Sequence, residues 1–154
     1  MKPTRVLFVC HGNICRSCMA QSIFTYLVKQ RGWEDKYACD SAAVSTEELG
    51  NPIYPQAARK LMQKGIPVIP HEARQLCRAD YSRFDLIIGM DMSNMRGITY
   101  LLGNDTEGKV ARLLDGAVCP RDVADPWYTG DFETAYRDIV EGCTALLCEL
   151  EEEE

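Results

Sequence analysis

The sequence lacks any hydrophobic run long enough to cross a membrane. Its first apolar run, Val6 to Val9, has four residues, whereas a spanning helix needs about 20 and the apolar part of a signal peptide about 7 to 15. Charged or polar residues interrupt the amino terminus, so no secretory leader is recognisable. We therefore expect a cytoplasmic protein without a membrane partner.

Basic residues are too few to favour a nucleic-acid partner. The 17 Lys and Arg are outnumbered by 23 Asp and Glu, which gives a net charge of -6, and Glu151 to Glu154 supply four of the negative charges. No basic patch or tail is visible. We expect one domain over residues 1–154, in which the acidic tail, residues 149–154, is a frayed and solvated helix end.

Histidine is scarce, and the cysteines do not form a metal-binding pattern. The chain has two His and eight Cys. Cys15 and Cys18 have the C-x-x-C spacing, but neither a second pair nor histidine ligands accompany them. We expect no bound metal, and we expect most of the thiols to be small core residues.

The sequence does contain an alternation of strand-like and helix-like segments. Short apolar runs predict strands at residues 4–10, 37–44, 84–90 and 109–114. Helical spacing of apolar residues predicts intervening and closing helices at about residues 17–28, 55–64, 93–102 and 131–147. This alternation is typical of an α/β fold with a four-stranded parallel sheet in the flavodoxin-like order 2-1-3-4 and helices on both faces.

The loop between the first strand and the first helix has the composition of an anion site. It reads His11-Gly12-Asn13-Ile14-Cys15, and Arg16-Ser17 open the helix. Gly12 and Asn13 tolerate the left-handed backbone that turns successive N–H groups inward, and the helix N-terminus adds partial positive charge. The planar guanidinium of Arg16 fits phosphate oxygens.

Cys10 ends the first strand at the floor of this loop. The positive field there favours the thiolate form, and the thiolate is the reactive form of a cysteine nucleophile. The sequence therefore predicts a nucleophilic cysteine beneath a phosphate-binding cradle. Backbone N–H groups and Arg16 meet the phosphate charge, so we expect no metal or organic cofactor.

A thiolate that attacks a phosphate ester also needs an acid to protonate the leaving group. Asp125 is the best candidate, because Pro126 restrains the backbone after it and Trp127 and Tyr128 can form the walls of a pocket for a ring-bearing substrate. From the residues alone, a turn aspartate beside two surface or core aromatics is an equal alternative. Asp91 is a rival by position, and helix capping explains it more simply.

Two segments carry a resemblance to a known family. Residues 10–17 resemble the signature loop of the low-molecular-weight protein tyrosine phosphatases, and Asp125-Pro126 followed by two aromatics resembles their general-acid loop. The likeness covers about residues 4–148. It implies a phosphotyrosine protein substrate, a phosphocysteine on Cys10, phosphate binding by Arg16, and Asp125 as proton donor and then base. We expect a monomer or weak dimer.

The resemblance also assigns supporting roles inside the loop. Ser17 is expected to donate a hydrogen bond to the Cys10 thiolate. Asn13 is expected to hold an unusual backbone conformation, braced by hydrogen bonds from Ser41 and His71. These residues would fix the shape of the phosphate loop.

Two further roles concern the second cysteine of the loop and the pocket. Cys15 matches the family's second cysteine, which leads us to expect reversible oxidation through a disulfide with Cys10 and hence a redox-sensitive protein. Trp127 and Tyr128 match the walls of the substrate pocket. Both expectations rest on the resemblance.

Three departures from the family pattern bear on stability and specificity. Cys18 stands where the family usually has proline, so a fixed backbone angle is lost. Tyr54 and Gln56 stand in a segment that commonly reads Asp-Pro-Arg, so we expect the loss of an ion pair there. Glu47, in a variable loop that carries a pocket aromatic in some relatives, is expected with Glu48 to disfavour acidic peptides.

Two related activities are alternatives. An arsenate reductase needs a resolving pair of cysteines on a mobile segment, and residues 84–104 contain none. Protein arginine phosphatases typically have Thr after the Gly-Asn pair, whereas this chain has Ile14, whose apolar bulk suits a phenyl ring. We therefore predict phosphotyrosine hydrolysis first, phosphoarginine hydrolysis second and arsenate reduction third.

Overall fold

The computed structural model of the chain describes residues 2–153 and contains one parallel sheet. Its strands are β1 (Thr4–Cys10), β2 (Tyr37–Ala43), β3 (Leu86–Gly89) and β4 (Val110–Arg112). They lie in the order β2-β1-β3-β4, and every neighbouring pair is parallel. The predicted fold class and strand order are confirmed.

Six α-helices occur in the described part of the chain. They are α1 (Arg16–Gln30), α2 (Pro55–Gln63), α3 (Ala79–Arg83), α4 (Met92–Leu102), α5 (Pro126–Thr129) and α6 (Phe132–Glu152). The sequence did not predict α3 or α5, because a helix of four or five residues is too short to show a helical period. None of the helices described is long and apolar enough to span a bilayer.

Side chains of β1 alternate between two hydrophobic clusters. Val6 and Phe8 belong to a cluster that α1, α2 and α6 cover, whereas Leu7 and Val9 belong to a second cluster that includes residues of α4. All four side chains are fully buried. A strand that is apolar throughout is therefore covered on both sides, as expected for a parallel sheet.

The fourth strand is shorter than predicted. Residues 109–114 were expected to form it, but Leu113 and Leu114 begin a 3-10 helix that runs to Gly116. Both leucines are still buried, because Gly142 of α6 lies against Leu113, so closely that an added Cβ would stand 2.4 Å from the Leu113 side chain. Apolar character marked the burial of this run, but a short run does not reveal its backbone conformation.

The prediction of a frayed acidic tail is wrong for residues 149–152. Helix α6 continues through Glu152, and Glu153 caps it. The physical reason is Glu151, which accepts a hydrogen bond from the Lys36 amine at 2.8 Å and another from the Tyr37 hydroxyl. Met1 and Glu154, the ends of the predicted domain, lie outside the described residues.

The topology places the end of β1 at a crevice. Because β1 pairs with β2 on one side and with β3 on the other, the chain changes its direction of travel across the sheet there. Ligands of open α/β folds bind at such a switch point, outside the carboxyl ends of the strands. Cys10 is the last residue of β1.

Candidate active site

The loop after β1 is built around one strained residue. Within residues 2–153, Asn13 is the single non-glycine residue with a positive φ, 60°. Asparagine tolerates this left-handed conformation better than most residues. Asn13 to Ser17 are all buried, whereas His11 is exposed, so the loop folds down into the core and not over the surface.

Hydrogen bonds to its side chain hold Asn13 in this conformation. Its Oδ1 accepts from His71 Nε2 at 2.7 Å and from the Arg74 backbone N–H at 3.2 Å, and its Nδ2 donates to Ser17 Oγ at 2.8 Å. Burial lowers the pKa of His71 against the opposing effect of Asp40, so the imidazole is neutral at pH 7 and carries its proton on Nε2. The expected bracing by His71 is present.

Ser17 lies next to the candidate nucleophile. Its Oγ is 3.0 Å from Cys10 Sγ, and both residues are buried. Because Ser17 Oγ already accepts a hydrogen bond from Asn13 Nδ2, its own proton is available to Cys10 Sγ. Asn13, Ser17 and Cys10 therefore form a chain of hydrogen bonds that ends at the sulfur.

The Arg16 guanidinium joins the loop to the end of β3 and to the segment that precedes α5. Its side chain is 3% exposed. Nη1 donates to the Val123 carbonyl at 3.0 Å, and Nη2 lies 2.9 Å from Asp91 Oδ2 and 3.3 Å from Asp125 Oδ2. A buried cation is costly unless it is paired, and here both carboxylates compensate it.

Asp125 is the N-cap of the short helix α5. Its Oδ1 accepts from the Trp127 backbone N–H at 3.1 Å, while its Oδ2 faces Arg16. Trp127 is 56% exposed and Tyr128 86% exposed. Residues 127–130 thus form an exposed turn beside a half-buried carboxylate.

These groups surround one cavity of about 390 Å³. Most of the predicted site residues line it, together with Glu48; the lining residues are Cys10, His11, Gly12, Ile14, Cys15, Arg16, Glu47, Glu48, Asp125, Trp127 and Tyr128. His11 and Glu47 meet at the mouth, with His11 Nε2 at 3.3 Å from Glu47 Oε2. A sulfur, a guanidinium and a carboxyl group therefore face one space, bordered by aromatic rings.

A sequence model of the family described as low molecular weight phosphotyrosine protein phosphatase matches residues 5–154. The chain belongs to this family. Membership confirms the predicted enzyme class, a low-molecular-weight protein tyrosine phosphatase that hydrolyses phosphoric monoesters.

Individual relatives resemble the chain over nearly its whole length. The low molecular weight protein-tyrosine-phosphatase YfkJ of Bacillus subtilis is 39% identical over 150 residues, or 96% of each chain. The crystal structure of YfkJ matches with a TM-score of 0.93 at 37% identity and covers 100% of this chain and 98% of that one. The Gallus gallus low molecular weight phosphotyrosine protein phosphatase is 40% identical over 147 residues, or 92% of each chain.

One neighbour bears on the alternative activity. The crystal structure of a Drosophila arginine phosphatase matches with a TM-score of 0.86 at 30% identity and covers 97% of this chain and 98% of that one. The fold is therefore shared by enzymes named for different phosphorylated side chains. Substrate preference must come from the residues that line the cavity.

For a low-molecular-weight phosphatase, this chain has an unusual cysteine in the first turn of α1. Cys18, which replaces the usual proline, is buried, and its thiol donates to the Asn13 carbonyl at 3.1 Å. A proline ring lacks a hydrogen-bond donor. The loss of a fixed backbone angle is thus accompanied by a new bond to the strained residue.

Cys15 faces the same cavity but is a different kind of thiol. Burial, followed by the negative charges of Cys10 and Asp125, raises the pKa of Cys15 to about 12. At neutral pH it is therefore protonated, and a protonated thiol is a poor nucleophile. Cys15 therefore does not compete with Cys10 as the nucleophile.

The expected bracing of Asn13 by Ser41 is wrong. Ser41 donates to Gln21 Oε1 at 2.6 Å and lies within hydrogen-bond reach of the Cys18 thiol, and none of the hydrogen bonds described for Asn13 involves it. Its register contributes to this, because Ser41 pairs with Phe8, two residues before Cys10. The second hydrogen bond to Asn13 Oδ1 comes instead from the Arg74 backbone N–H.

Sequence reasoning undervalued Asp91 and Tyr54. Asp91 does cap α4 through Asn94, as predicted, but its other oxygen pairs with Arg16. The signal was its place two residues after Gly89, which pairs with Val9 of β1. Tyr54 was expected only to remove an ion pair from its segment. Its ring instead contacts the rings of Trp127 and Phe132.

Proposed function

We propose that the chain dephosphorylates phosphotyrosine in proteins, with Cys10 as nucleophile, Arg16 as phosphate-binding residue and Asp125 as general acid and base. The observation that carries this proposal is that all three side chains line one cavity. The cavity is bordered by Ile14 and by two aromatic rings, which suits the phenyl ring of tyrosine.

In the first step the Cys10 thiolate attacks phosphorus. A sulfur–phosphorus bond forms, and the bond between phosphorus and the tyrosine oxygen breaks. Asp125 gives its proton to that oxygen, so tyrosine leaves as a neutral phenol. The phosphate oxygens are bound by Arg16 and by the backbone N–H groups at the start of α1, which require no metal.

In the second step water hydrolyses the phosphocysteine. Asp125, now a carboxylate, takes a proton from the water as its oxygen attacks phosphorus. The sulfur–phosphorus bond breaks, and the Cys10 thiolate returns together with inorganic phosphate. The hydrogen bond from Ser17 stabilises the sulfur as a leaving group, because it is directed at the charged form.

The rim of the cavity supports a preference among phosphoproteins. Glu47 and Glu48 stand on one side of the mouth, and Glu47 is largely exposed. Carboxylates at this position repel acidic residues that flank a phosphotyrosine. We expect substrates with neutral or basic flanking residues, a cytoplasmic location, and a monomer or weak dimer.

Phosphoarginine is the second candidate substrate, favoured by the likeness to the Drosophila arginine phosphatase. Ile14 is 8% exposed and lines the cavity, so the group after Asn13 contacts whatever enters. A phenyl ring gains from this apolar surface, whereas a phosphoarginine guanidinium buries polar N–H groups against it without partners.

The experiment is phosphate release from matched phosphotyrosine and phosphoarginine peptides without metal, for wild type and Ile14→Thr. We expect a preference for phosphotyrosine that weakens in the variant. Faster turnover of phosphoarginine by the wild type would make the alternative the main activity. Turnover of neither peptide would overturn the proposal.

We also propose a redox role for Cys15, which is supported by its place in the same cavity as Cys10. Peroxide converts the Cys10 thiolate to a neutral sulfenic acid, and this removes the Cys10 charge that helps to raise the pKa of Cys15. Cys15 then ionises more readily and attacks the sulfenic sulfur; a disulfide forms and water leaves. Reductant should restore activity in the wild type but not in Cys15→Ala. Equal irreversible loss in both proteins would exclude this role.

A further inference from the structure

Tyr54 makes contacts with both halves of the catalytic site. It is the N-cap residue of α2 and is partly buried. Its backbone N–H donates to the Ile14 carbonyl at 2.8 Å, which ties it to the phosphate loop. Its ring meets the Trp127 ring edge to face, with centroids 5.2 Å apart and an interplanar angle of 66°.

The Tyr54 ring also rests on the core. It stacks on Phe132, the first residue of α6, with centroids 6.2 Å apart and an interplanar angle of 12°. Phe132 is 7% exposed and belongs to the main hydrophobic cluster. Phe132, Tyr54 and Trp127 therefore form a row of rings that extends from the core to the exposed turn.

Besides the Tyr54 ring, the exposed turn is supported by the buried Pro126 and by local backbone hydrogen bonds to the carbonyls of Asp125 and Pro126. The stretch before it is held by backbone hydrogen bonds, from Val123 N–H to the Met90 carbonyl and from Ala124 N–H to Asp138. From Trp127 to Gly130 every residue is exposed. A helix as short as α5 is not stable by itself, so packing must hold it.

The position of Trp127 bears directly on Asp125. The Trp127 backbone N–H donates to Asp125 Oδ1, and this hydrogen bond orients the carboxyl group. If the Trp127 ring loses its support, this N–H moves with it and the carboxyl group is less often in place. The effect falls on proton transfer and leaves the nucleophile unchanged, because the bond from Tyr54 N–H to the phosphate loop belongs to the backbone.

We propose that Tyr54 is a positioning residue, whose ring holds Trp127 and thereby places Asp125 over the phosphate loop. This inference rests on the proposed role of Asp125 as general acid. Only the ring is needed, because both aromatic contacts involve the ring and neither involves the hydroxyl. Tyr54→Phe should therefore keep the function that Tyr54→Ala loses.

The test compares two aryl phosphates that differ in leaving group. Phenyl phosphate needs a proton on its oxygen, whereas nitrophenyl phosphate leaves readily as the anion. For Tyr54→Ala we expect kcat/KM, which reports the steps up to release of the phenol, to fall about 3- to 10-fold on phenyl phosphate, the range expected from loss of one aromatic pair, while kcat/KM on nitrophenyl phosphate changes less than about 2-fold. Tyr54→Phe should match the wild type on both.

A second readout does not depend on activity. The chain has two tryptophans, Trp33 and Trp127, so in a Trp33→Phe background the fluorescence reports Trp127 alone. Loss of the Tyr54 ring should increase quenching of this emission by acrylamide, and Tyr54→Phe should not. Unchanged quenching in Tyr54→Ala would overturn the inference.

Two controls separate the inference from its alternatives. Tyr136→Ala removes the same ring type from α6, where Tyr136 packs against the same core and under Lys64; it should preserve the ratio of the two rates. Equal losses of kcat/KM on both substrates in Tyr54→Ala would contradict positioning. If Asp125→Asn also fails to discriminate between the substrates, the proposed general acid itself is wrong.

Discussion

The two halves of the catalytic site are built in opposite ways. The phosphate loop is buried from Asn13 to Ser17 and is held by hydrogen bonds to Asn13 from separate parts of the chain. The turn at residues 127–130 is exposed throughout and depends on a helix cap and aromatic packing. Phosphate binding, nucleophilic attack and the choice of phosphorylated side chain through Ile14 belong to the buried loop, whereas protonation and the choice of flanking sequence belong to the surface.

Because of this difference, changes in activity can be separated from changes in stability in the exposed turn, but not in the buried loop. A change in the buried loop disturbs hydrogen bonds that the fold itself needs, because buried polar groups left without partners are costly. A change in the exposed turn leaves those bonds intact. Four variants test whether the two halves are independent, and we expect Cys10→Ser to have the largest effect.

Cys10→Ser should lower kcat on a phosphotyrosine peptide on the order of 10⁴-fold or more, because a serine hydroxyl at this site is a far weaker nucleophile than a thiolate. Phosphate release under single-turnover conditions measures the loss. Cys18→Ser, which keeps a donor for the Asn13 carbonyl, is the matched control and should retain most of its turnover. Near-normal activity of Cys10→Ser would refute the covalent mechanism.

Asp125→Asn should lower kcat on the same peptide about 10²- to 10³-fold, since the amide cannot donate the proton that the phenolate oxygen needs. The amide oxygen still caps α5, and Asp91 still pairs with Arg16 at 2.9 Å, so the loss of one of the two carboxylates should lower the unfolding free energy by no more than about 1 kcal/mol. Asp131→Asn alters the capping residue of α6 in the same way and should leave kcat unchanged. A large loss of stability in Asp125→Asn would contradict the separation drawn above.

Asn13→Ala should lower the unfolding free energy by about 2 to 3 kcal/mol, because it removes the partner of the buried Ser17 hydroxyl and of two partly buried donors and leaves a left-handed alanine. For a chain of this size that corresponds to roughly 5 to 10 °C in Tm by calorimetry. Asn13→Gly relaxes the backbone but also loses the hydrogen bonds, so its smaller deficit measures the bonds alone. If both variants unfold like the wild type, the loop is not part of the stable core.

The double change Glu47→Gln and Glu48→Gln should have the smallest effect. We expect kcat/KM on a phosphotyrosine peptide with acidic flanks to rise about 2- to 5-fold at low salt and to approach the wild-type value at high salt. A peptide with basic flanks should not gain. The control is the double variant Glu34→Gln and Glu107→Gln, because these residues precede β2 and β4 and thus lie at the amino ends of the strands, opposite the active site. An equal rise in kcat/KM in this control would exclude a local effect of the cavity rim.

The fold and the phosphate loop could be predicted because local sequence determines them. A four-residue apolar run, a Gly-Asn turn and the periodic α1 already define strand, loop and helix, and the strand order follows from short right-handed connections. The contact of Asp125 with Arg16 spans 109 positions. Spacing carries no information about such a pair, so the resemblance to a family was needed to suggest it.

The errors also have physical explanations. Ser41 was placed beside Asn13, but strand register moves it two residues down the sheet. The acidic tail was expected to fray, but a single carboxylate, Glu151, accepts hydrogen bonds from Lys36 and Tyr37 at the start of β2. For Tyr54 the sequence indicated only the loss of an ion pair, because no local sequence pattern reveals aromatic packing between segments that are distant along the chain.

The pairing of Arg16 with Asp125 has a consequence for the end of the catalytic cycle. The carboxylate oxygen already lies 3.3 Å from the guanidinium, so it occupies part of the surface that an incoming phosphate requires. Binding and release thus become an exchange of two anions on one cation. We expect free phosphate to be a weak inhibitor, because at each turnover the Asp125 carboxylate competes with the phosphate product for Arg16.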